Sequence, residues 1–363
     1  MAVFTDVFDD VTKLGRKIPT SEYLPEGKYP IVDQGQQLIA GYTNKSNGLF
    51  SDVPVIIFGD HTRVIKYIDE PCFLGADGVK LLKAKDGGAN YKYLYYVLSN
   101  AKIPNTGYNR HFKWLKEVEI PSYSYEEQTH IVSLLDKVSE LIDLRKRQLQ
   151  KLDELVKSRF VEMFGDVVHN NKSWNTYQFS DVTTSRLGKM LDAKQQTGKF
   201  PFPYLANANV QWFRFETGSL NQMDFNEADQ EEFKLEDGDL LVCEGGEIGR
   251  CAVWHNEIQP CFFQKALHRV RCNQEIILPD YLAWWFKFNC DNNGFAAIEG
   301  AKATIAHLPG AKLKQLQVVT PPVELQTKFV AFVTQVDKSK VVVQQSLDKL
   351  ETLKKSLMQE YFG

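Results

Sequence analysis

Apolar positions along this chain follow two rhythms: a period of two in short runs, and a period of seven in two long ones that set the architecture. From Glu126 to Gly165, Leu135, Ile142, Leu149, Val156 and Met163 stand at sevenfold spacing. Ile131, Val138 and Leu152 fill the complementary seam, and Leu134, Leu141 and Leu155 widen the stripe. From Glu324 to Gly363, Phe329, Val336, Val343, Leu350 and Leu357 keep one seam, while Lys340 and Lys354 interrupt the other. No proline breaks the first run, and a glycine follows each, where a helix C-terminus favours it. The pattern predicts two helices of about 35 residues, each roughly 50 Å long at 1.5 Å per residue. One small domain cannot cover that length. The economical partner of each stripe is the other, in an intrachain coiled coil; helices from other subunits are the alternative. Arg145-Lys146-Arg147 reads as the solvated face of such a helix.

The two runs are copies. At an offset of 198 residues, Glu126, Gln128 and Thr129 fall on Glu324, Gln326 and Thr327. Lys151, Leu152, Leu155, Lys157 and Ser158 fall on Lys349, Leu350, Leu353, Lys355 and Ser356, and Glu162, Phe164 and Gly165 on Glu360, Phe362 and Gly363. A repeat of this length divides the chain into two structural halves. The period-two segments repeat as well. After a polar, turn-rich opening, Tyr29–Thr43 predicts short strands around glycine turns, and Val53–Phe58 leads through Gly59-Asp60-His61-Thr62 into Arg63–Ile68 as a hairpin. A strand at Gly78–Lys83 and a helix at Tyr91–Asn100 follow. The second half opens with strands from Phe202, then runs Leu240–Cys243 through Gly245–Arg250 into Cys251–Trp254 as the counterpart hairpin. Pro260-Cys261-Phe262 echoes Pro71-Cys72-Phe73, and Tyr281-Leu282 echoes Tyr93-Leu94. The expected fold is α+β: two similar globular domains of mixed strands and short helices, at 1–122 and 167–322, joined by long antiparallel coiled-coil helices at 123–166 and 323–363 in a pseudo-twofold arrangement. The aromatics Tyr93, Tyr95, Tyr96, Trp284, Trp285 and Phe286, at helical spacing, are expected in the cores.

Composition narrows the function. With 363 residues, 43% hydrophobic and 25% charged, the chain can bury two ordinary cores. A net charge of -3 lacks the basic signature of a protein coated in nucleic acid, so any such role rests on local patches. The six cysteines form no CxxC or His-spaced zinc pattern and read as reduced thiols. No secretory or membrane-spanning run is present, which predicts a cytoplasmic protein without membrane contact.

The Glu-Glu-Gln start of the first long helix, its Lys151–Gly165 ending KLDELVKSRFVEMFG, its weaker C-terminal copy and GDLLVCEGGEIGR at Gly238–Arg250 resemble the specificity subunit of type I restriction-modification enzymes, over essentially the full length. The resemblance implies two target-recognition domains, each reading half of a bipartite site in double-stranded DNA. It also implies two methyltransferase subunits as partners and, through them, restriction or translocase subunits. S-adenosylmethionine, ATP and Mg would belong to those partners, and this chain would hold no cofactor.

The residues themselves show little chemistry. An amino-methyltransferase needs an Asp/Asn-Pro-Pro-aromatic stretch, but the only Pro-Pro, Pro321-Pro322, precedes Val323. Gly245–Gly249 lies between strands and opens no helix, so it reads as a hairpin turn and not a phosphate loop. Thr197-Gly198-Lys199-Phe200 lacks the remainder of a P-loop, and Asp60 with Asp77, or Asp280 with Glu299 and Lys302, match no metal-nuclease spacing. No catalytic or metal-binding residue is assigned. A self-contained methyltransferase or nuclease with an unrecognised motif, and a coiled-coil adaptor that binds no DNA, are the alternatives.

Base edges are read by Arg or Lys at guanine and Asn or Gln at adenine, and phosphates are held by cations, hydroxyls and amides. Acid-poor segments rich in these groups supply the candidates. In the first domain they are Gln34, Gln36, Tyr42, Asn44 and Lys45, the hairpin tip His61, Thr62 and Arg63, and the segment Tyr108, Asn109, Arg110, His111 and Lys113. In the second they are Lys194, Asn207, Asn209, Gln211, Arg250, Gln264, Lys265, Lys302 and Thr304.

Overall fold

The computed structural model describes residues 1–75, 78–192, 196–296 and 308–363. It divides into two compact units, Met1–Gln148 with Val343–Gly363, and Leu149–Val342. The units therefore do not end where the long helices begin; each takes part of both.

The first unit opens with β1 (Ala2–Val3), α1 (Phe4–Val7) and β2 (Phe8–Asp10), followed by β3 (Tyr29–Val32) and β4 (Gly41–Thr43). Then come β5 (Val55–Gly59), β6 (Ile65–Ile68), β7 (Phe73–Leu74), β8 (Val79–Ala84), α2 (Tyr91–Asn100), α3 (Phe112–Leu115) and β9 (Glu119–Ile120). One sheet has the order β2-β8-β5-β6, another β4-β3-β7, and β1 pairs with β9. β5 is a run of β-branched and aromatic residues buried along its whole length, as a central strand covered on both faces must be. Val55 and Ile57 pack with Val32 and Leu74 of the second sheet, and α2 packs against β5 and β6. The N-terminal segment differs from the turn-rich opening read from the sequence. β2 lies antiparallel to β8, with Phe8 opposite Ala84, and the pairing partner rather than local propensity makes it a strand.

The second unit repeats this order. It contains β10 (Asn175–Gln178), α5 (Phe179–Val182), β11 (Thr183–Leu187), β12 (Pro201–Leu205), β13 (Val210–Gln211), β14 (Arg214–Phe215), β15 (Asn221–Asp224) and α6 (Glu227–Phe233), where α4 is the intervening long helix Tyr125–Phe164. β16 (Leu240–Cys243), β17 (Cys251–Val253), β18 (Phe262–Phe263), β19 (Leu267–Cys272), α7 (Pro279–Asp291), α8 (Gly310–Lys314) and β20 (Gln317–Thr320) complete it. The sheet orders β11-β19-β16-β17, β15-β12-β18 and β10-β20 match those of the first unit strand for strand, with a β13-β14 ribbon added. β10 and β11 precede the strands read from the sequence, because β10 is polar and exposed throughout and the inward positions of β11, Thr183, Ser185 and Leu187, are mostly polar letters that give no apolar period-two signal. Along β16, Leu240 and Val242 pack into the core that holds α7, and Leu241 and Cys243 into the core of the three-stranded sheet. Tyr93, Tyr96, Trp284, Trp285 and Phe286 are buried as expected, and Tyr95 is half-buried.

The two long helices are α4 and α9 (Val323–Phe362), each continuous. Ser124 and Glu127 bond reciprocally at the start of α4, with Ser124 Oγ donating to the Glu127 carboxylate at 2.7 Å and accepting from Glu127 N at 3.3 Å. At its end Gly165 takes a left-handed φ of 76°, and the Lys172 ammonium and the Trp174 indole N–H cap its last carbonyls. Within the first unit Arg145 bonds Ser346 and Lys146 pairs with Glu351 at 3.0 Å; within the second, Asp153 pairs with Lys340 at 2.7 Å and Phe160 meets Phe329. In both units the helices therefore run antiparallel. Leu135, Ile142, Val156, Phe329, Val336 and Val343 are buried in the seam, but Leu141 and Leu155 are exposed, so the apolar stripe is narrower than the sequence indicated. Lys340 occupies the position of Ile142 in the first copy and stays buried in part by pairing with Asp153 and Asp337.

Candidate nucleic-acid interface

In the first unit the strand-end loop after β3, the β5–β6 tip and the segment before α3 meet. Gln34 ties the first two together, its side-chain oxygen accepting from His61 N at 3.3 Å and its carbonyl from Thr62 Oγ1 at 2.6 Å. Arg63 holds a left-handed φ of 63°, uncommon for a side-chain-bearing residue, and its guanidinium donates to Ile103 O at 3.3 Å. Tyr108, 86% exposed, stacks on the His61 ring at 4.6 Å between centroids. Asn109 Nδ2 donates to Thr106 O at 2.5 Å, shaping the tight turn that presents Tyr108, Asn109 and Arg110 to solvent. Gln36 is exposed on the first loop and Lys113 on α3. The surface thus offers an aromatic face, a cation and amides together.

Other candidates stand apart from this cluster. Asn44 Oδ1 accepts from Lys28 N at 3.0 Å, Lys45 pairs with Glu22, and Tyr42 is paired in β4. His111 is corrected to a structural residue. It is fully buried, its N–H bonds Asp60 O at 2.8 Å, and its Nδ1 lies 3.0 Å from the same oxygen, so no duplex reaches it in this conformation. Asp60 is likewise buried and accepts from Phe112 N at 2.7 Å, which anchors α3 below the tip.

The equivalent place in the second unit gathers the turn after β12, the β16–β17 tip and the segment after β18. Arg250 donates to Asn207 O at 3.0 Å, and Asn207 Nδ2 to Gly245 O at 3.2 Å. Gln264 N bonds Leu205 O at 3.0 Å, and exposed Lys265 is held through its N–H to Lys189 O at 2.9 Å. Asn209 spends its amide on Ala206 N and Glu216 O, and Gln211 donates to Ala208 O, so both shape the turn. Gly249 takes φ 73°, and a Cβ there would sit 2.8 Å from Phe286, so only glycine fits where the first unit strains Arg63. Lys194, Lys302 and Thr304 lie outside the described residues.

Three buried polar atoms in these two places, His61 Nδ1, Asn207 Oδ1 and Arg250 Nε, have no hydrogen-bond partner among the described residues. Unmet polar atoms are rare in folded cores and mark places where a water or ligand belongs.

Sequence reasoning passed over the residues that hold the loops. Lys66 is 4% exposed, and its ammonium donates to Asp33 O at 2.8 Å and Gln37 O at 2.5 Å, beside the Asp33 carboxylate at 3.6 Å. Burial lowers its pKa, with Asp33 opposing. Lys189, buried, donates to Asp224 O and Asp229, both at 2.6 Å. The Asp224 carboxylate gathers Thr197, Gly198 and Phe200; burial pushes its pKa up, but these hydrogen bonds outweigh it and hold the carboxyl below its ordinary value. The signal for Lys66 was present: in β6 it shares the inward face with Ile68.

No helix among the described residues is long and apolar enough to cross a membrane. The chain is 27% identical over 151 residues to the EcoR124I/EcoR124II specificity subunit of Escherichia coli, a match spanning 36% of this chain and 37% of that protein. It is 21% identical over 266 residues to the EcoKI specificity subunit of Escherichia coli K12, spanning 68% and 57%. The chain thus matches less than two thirds of these curated relatives. Among solved structures, the S subunit of a type I restriction-modification system from M. genitalium superposes with a TM-score of 0.62 at 18% identity, over 100% of this chain and 95% of that one. A chain solved in work on complex assembly and conformational transition of the type I R-M system does so at 0.58 and 14%, over 99% and 96%. At these identities the likeness is one of fold. A sequence model of the type I restriction modification DNA specificity domain matches at residues 4–154 and again at 171–352, and by that double match the chain belongs to this family.

Proposed function

We propose that the chain is the DNA-reading subunit of a type I restriction-modification complex, each unit reading one half of a bipartite duplex target. The observation that supports the reading most is the repeated constellation: on two matching connections of one topology, the loop after β3 or β12 and the β5–β6 or β16–β17 tip, both units set an amide beside a guanidinium suited to base edges, supported by polar ties between the two connections. In this reading Gln34, His61, Thr62, Arg63, Tyr108, Asn109 and Arg110 serve one half-site, and Asn207, Arg250, Gln264 and Lys265 the other. The long helices dock two methyltransferase subunits and, through them, restriction or translocase subunits. Those partners supply S-adenosylmethionine, ATP and Mg, and the complex works in the cytoplasm.

The test is selection of random duplexes by the purified chain, followed by adenine-methylation mapping with the methyltransferase partner present. A two-part consensus is expected. Replacing Asn109 and Arg110 together by Ala, both exposed, weakens binding by about 1–3 kcal/mol per lost bidentate base contact and relaxes one half only. Equal loss at both halves, or methyl transfer by the chain alone, refutes the proposal.

A further inference from the structure

The duplication lets the two units be compared position by position, and they part where the short helix α2 or α7 meets a long one. Tyr93 of α2 donates to Pro121 O at 2.7 Å as Tyr281 of α7 does to Val319 O at 2.8 Å, which sets α2 and α7 in register; the copied run does the same for α4 and α9. By these registers Lys92, Tyr95, Tyr96 and Asp136 of the first unit answer to Asp280, Ala283, Trp284 and Thr334 of the second. In the first unit the corner is closed on itself. The Lys92 ammonium pairs with the Asp136 carboxylate at 2.6 Å and lies 5.9 Å from the centre of the Tyr67 ring, and the Tyr96 hydroxyl donates to the same carboxylate at 2.7 Å. Tyr95 packs beside Tyr67 and Tyr96, at 6.4 and 5.2 Å between centroids. The chain thus seats its own ammonium between an aromatic ring and a carboxylate.

In the second unit both that ammonium and the Tyr95 ring are gone. A cavity of about 420 Å³ opens there, lined among others by Phe213, Asp280, Trp284, Phe329, Val333 and Thr334, and every residue lining it belongs to this unit. The β13–β14 ribbon brings in Phe213, which holds a left-handed φ of 63°, rare for an aromatic residue, and stacks on Trp284 at 4.4 Å. Most of the other charges at the cavity are spent. Lys340 pairs with Asp153 and Asp337, His255 bonds Asp237 at 3.2 Å, Glu257 accepts from His255 N at 3.0 Å, and Lys338 is exposed. Asp280 is half-buried, with no ion pair and no hydrogen bond beyond its own N–H among the described residues; burial pushes its carboxyl above the ordinary value against the pull of His255. The positive end of α7 offsets about half a unit of its charge.

We propose that this cavity binds a free aliphatic amine, its ammonium against the Asp280 carboxylate and its chain against Phe213, Trp284 and Val333. The arrangement is the one the first unit makes from Lys92, with the cation supplied from outside and the acid moved to the short helix. A cation on an apolar stem suits both parts of the lining: a neutral chain would leave the carboxylate unpaired, and a hydrated metal ion would leave the aromatic wall unused. The volume is in the range of small-molecule sites, about 300–1,000 Å³. The cavity and the duplication carry the inference, and it does not rest on the DNA-reading role.

The probe is pentylamine, titrated into the full-length protein by calorimetry with the Trp284 indole N–H followed by NMR and pentanol as the neutral control. Saturable binding that shifts the Trp284 signal is expected, at least tenfold weaker for pentanol. Asp280→Asn keeps the shape and removes the charge. Thr334→Lys, at an exposed position of α9, supplies an ammonium from the chain itself, as Lys92 does in the first unit. Both variants are expected to bind pentylamine at least tenfold more weakly, with an unchanged melting temperature or a higher one; should one fail to fold, the other decides. No saturable binding, equal binding of pentanol, or unchanged affinity in a folded variant overturns the proposal. N-acetyl-lysine amide carries the same ammonium on a peptide unit. If it binds tenfold more tightly than pentylamine, the proposal is overturned as well, because the ammonium would then belong to a polypeptide.

Discussion

Lys66→Met isolates the tie beneath the first-unit loop. Methionine keeps most of the aliphatic stem and removes the ammonium, leaving Asp33 O and Gln37 O without their donor and the Asp33 carboxylate without its cation. A hydrogen bond to a charged group is worth about 1.5–3 kcal/mol. Two offsets reduce the sum. Gln37 is exposed and Asp33 half-buried, so water can replace the donor at both carbonyls. The lowered pKa of Lys66 means that burying its charge costs more than Asp33 returns. We therefore expect a local loss of about 1–3 kcal/mol, and amide exchange at 33–37 faster by about tenfold to a hundredfold, with the β5 core unchanged. A lysine whose folded pKa lies below its unfolded value makes the unit more stable as pH rises through the window below 10.5, and the methionine variant should lose that climb. Unchanged exchange at 33–37, or equal acceleration across the unit, would show that Lys66 does not hold the loop.

The Asp224 carboxyl, held below 3.8, stabilises the 197–200 turn at neutral pH, and that contribution is lost as pH falls through its folded value; exchange at 197–200 should rise selectively in acid, and Asp224→Asn should show the same rise at pH 7. In the helix seam, burial lowers the pKa of Lys354 more than Asp143 restores it, so Lys354→Leu should raise the stability of the first unit by about 1 kcal/mol in thermal melts. Lys340, whose pairs with Asp153 and Asp337 raise its pKa against burial, should gain nothing from the same change. A lower melting temperature for Lys354→Leu would contradict the seam argument. Burial pushes the Cys72 and Cys261 thiols up to about 11 and 12, so both should resist alkylation at pH 8 in the native protein and react in denaturant.

The long helices, the duplication and the two hairpins were legible in the sequence because each is written in local periodicity: a seven-residue seam, a copied run, and β-branched strands around a turn. β2, β10 and β11 were not, because short polar strands at sheet edges are defined by the backbone they pair with. The helix stripe was overread at Leu141 and Leu155 for a related reason, since a periodic pattern shows where apolar residues fall but not how wide a face the neighbour covers. Residue type alone nominated His61, Arg63, Tyr108 and Arg250. Tertiary structure decided that His61 stacks under Tyr108, that Arg250 leans on Asn207, that His111 is buried and that Asn44 and Lys45 stand elsewhere. Side chains from three connections distant in the chain meet only after the sheets have formed, and the lysines and carboxylates that fix those connections are recognisable only once it is known which face of a strand is inside.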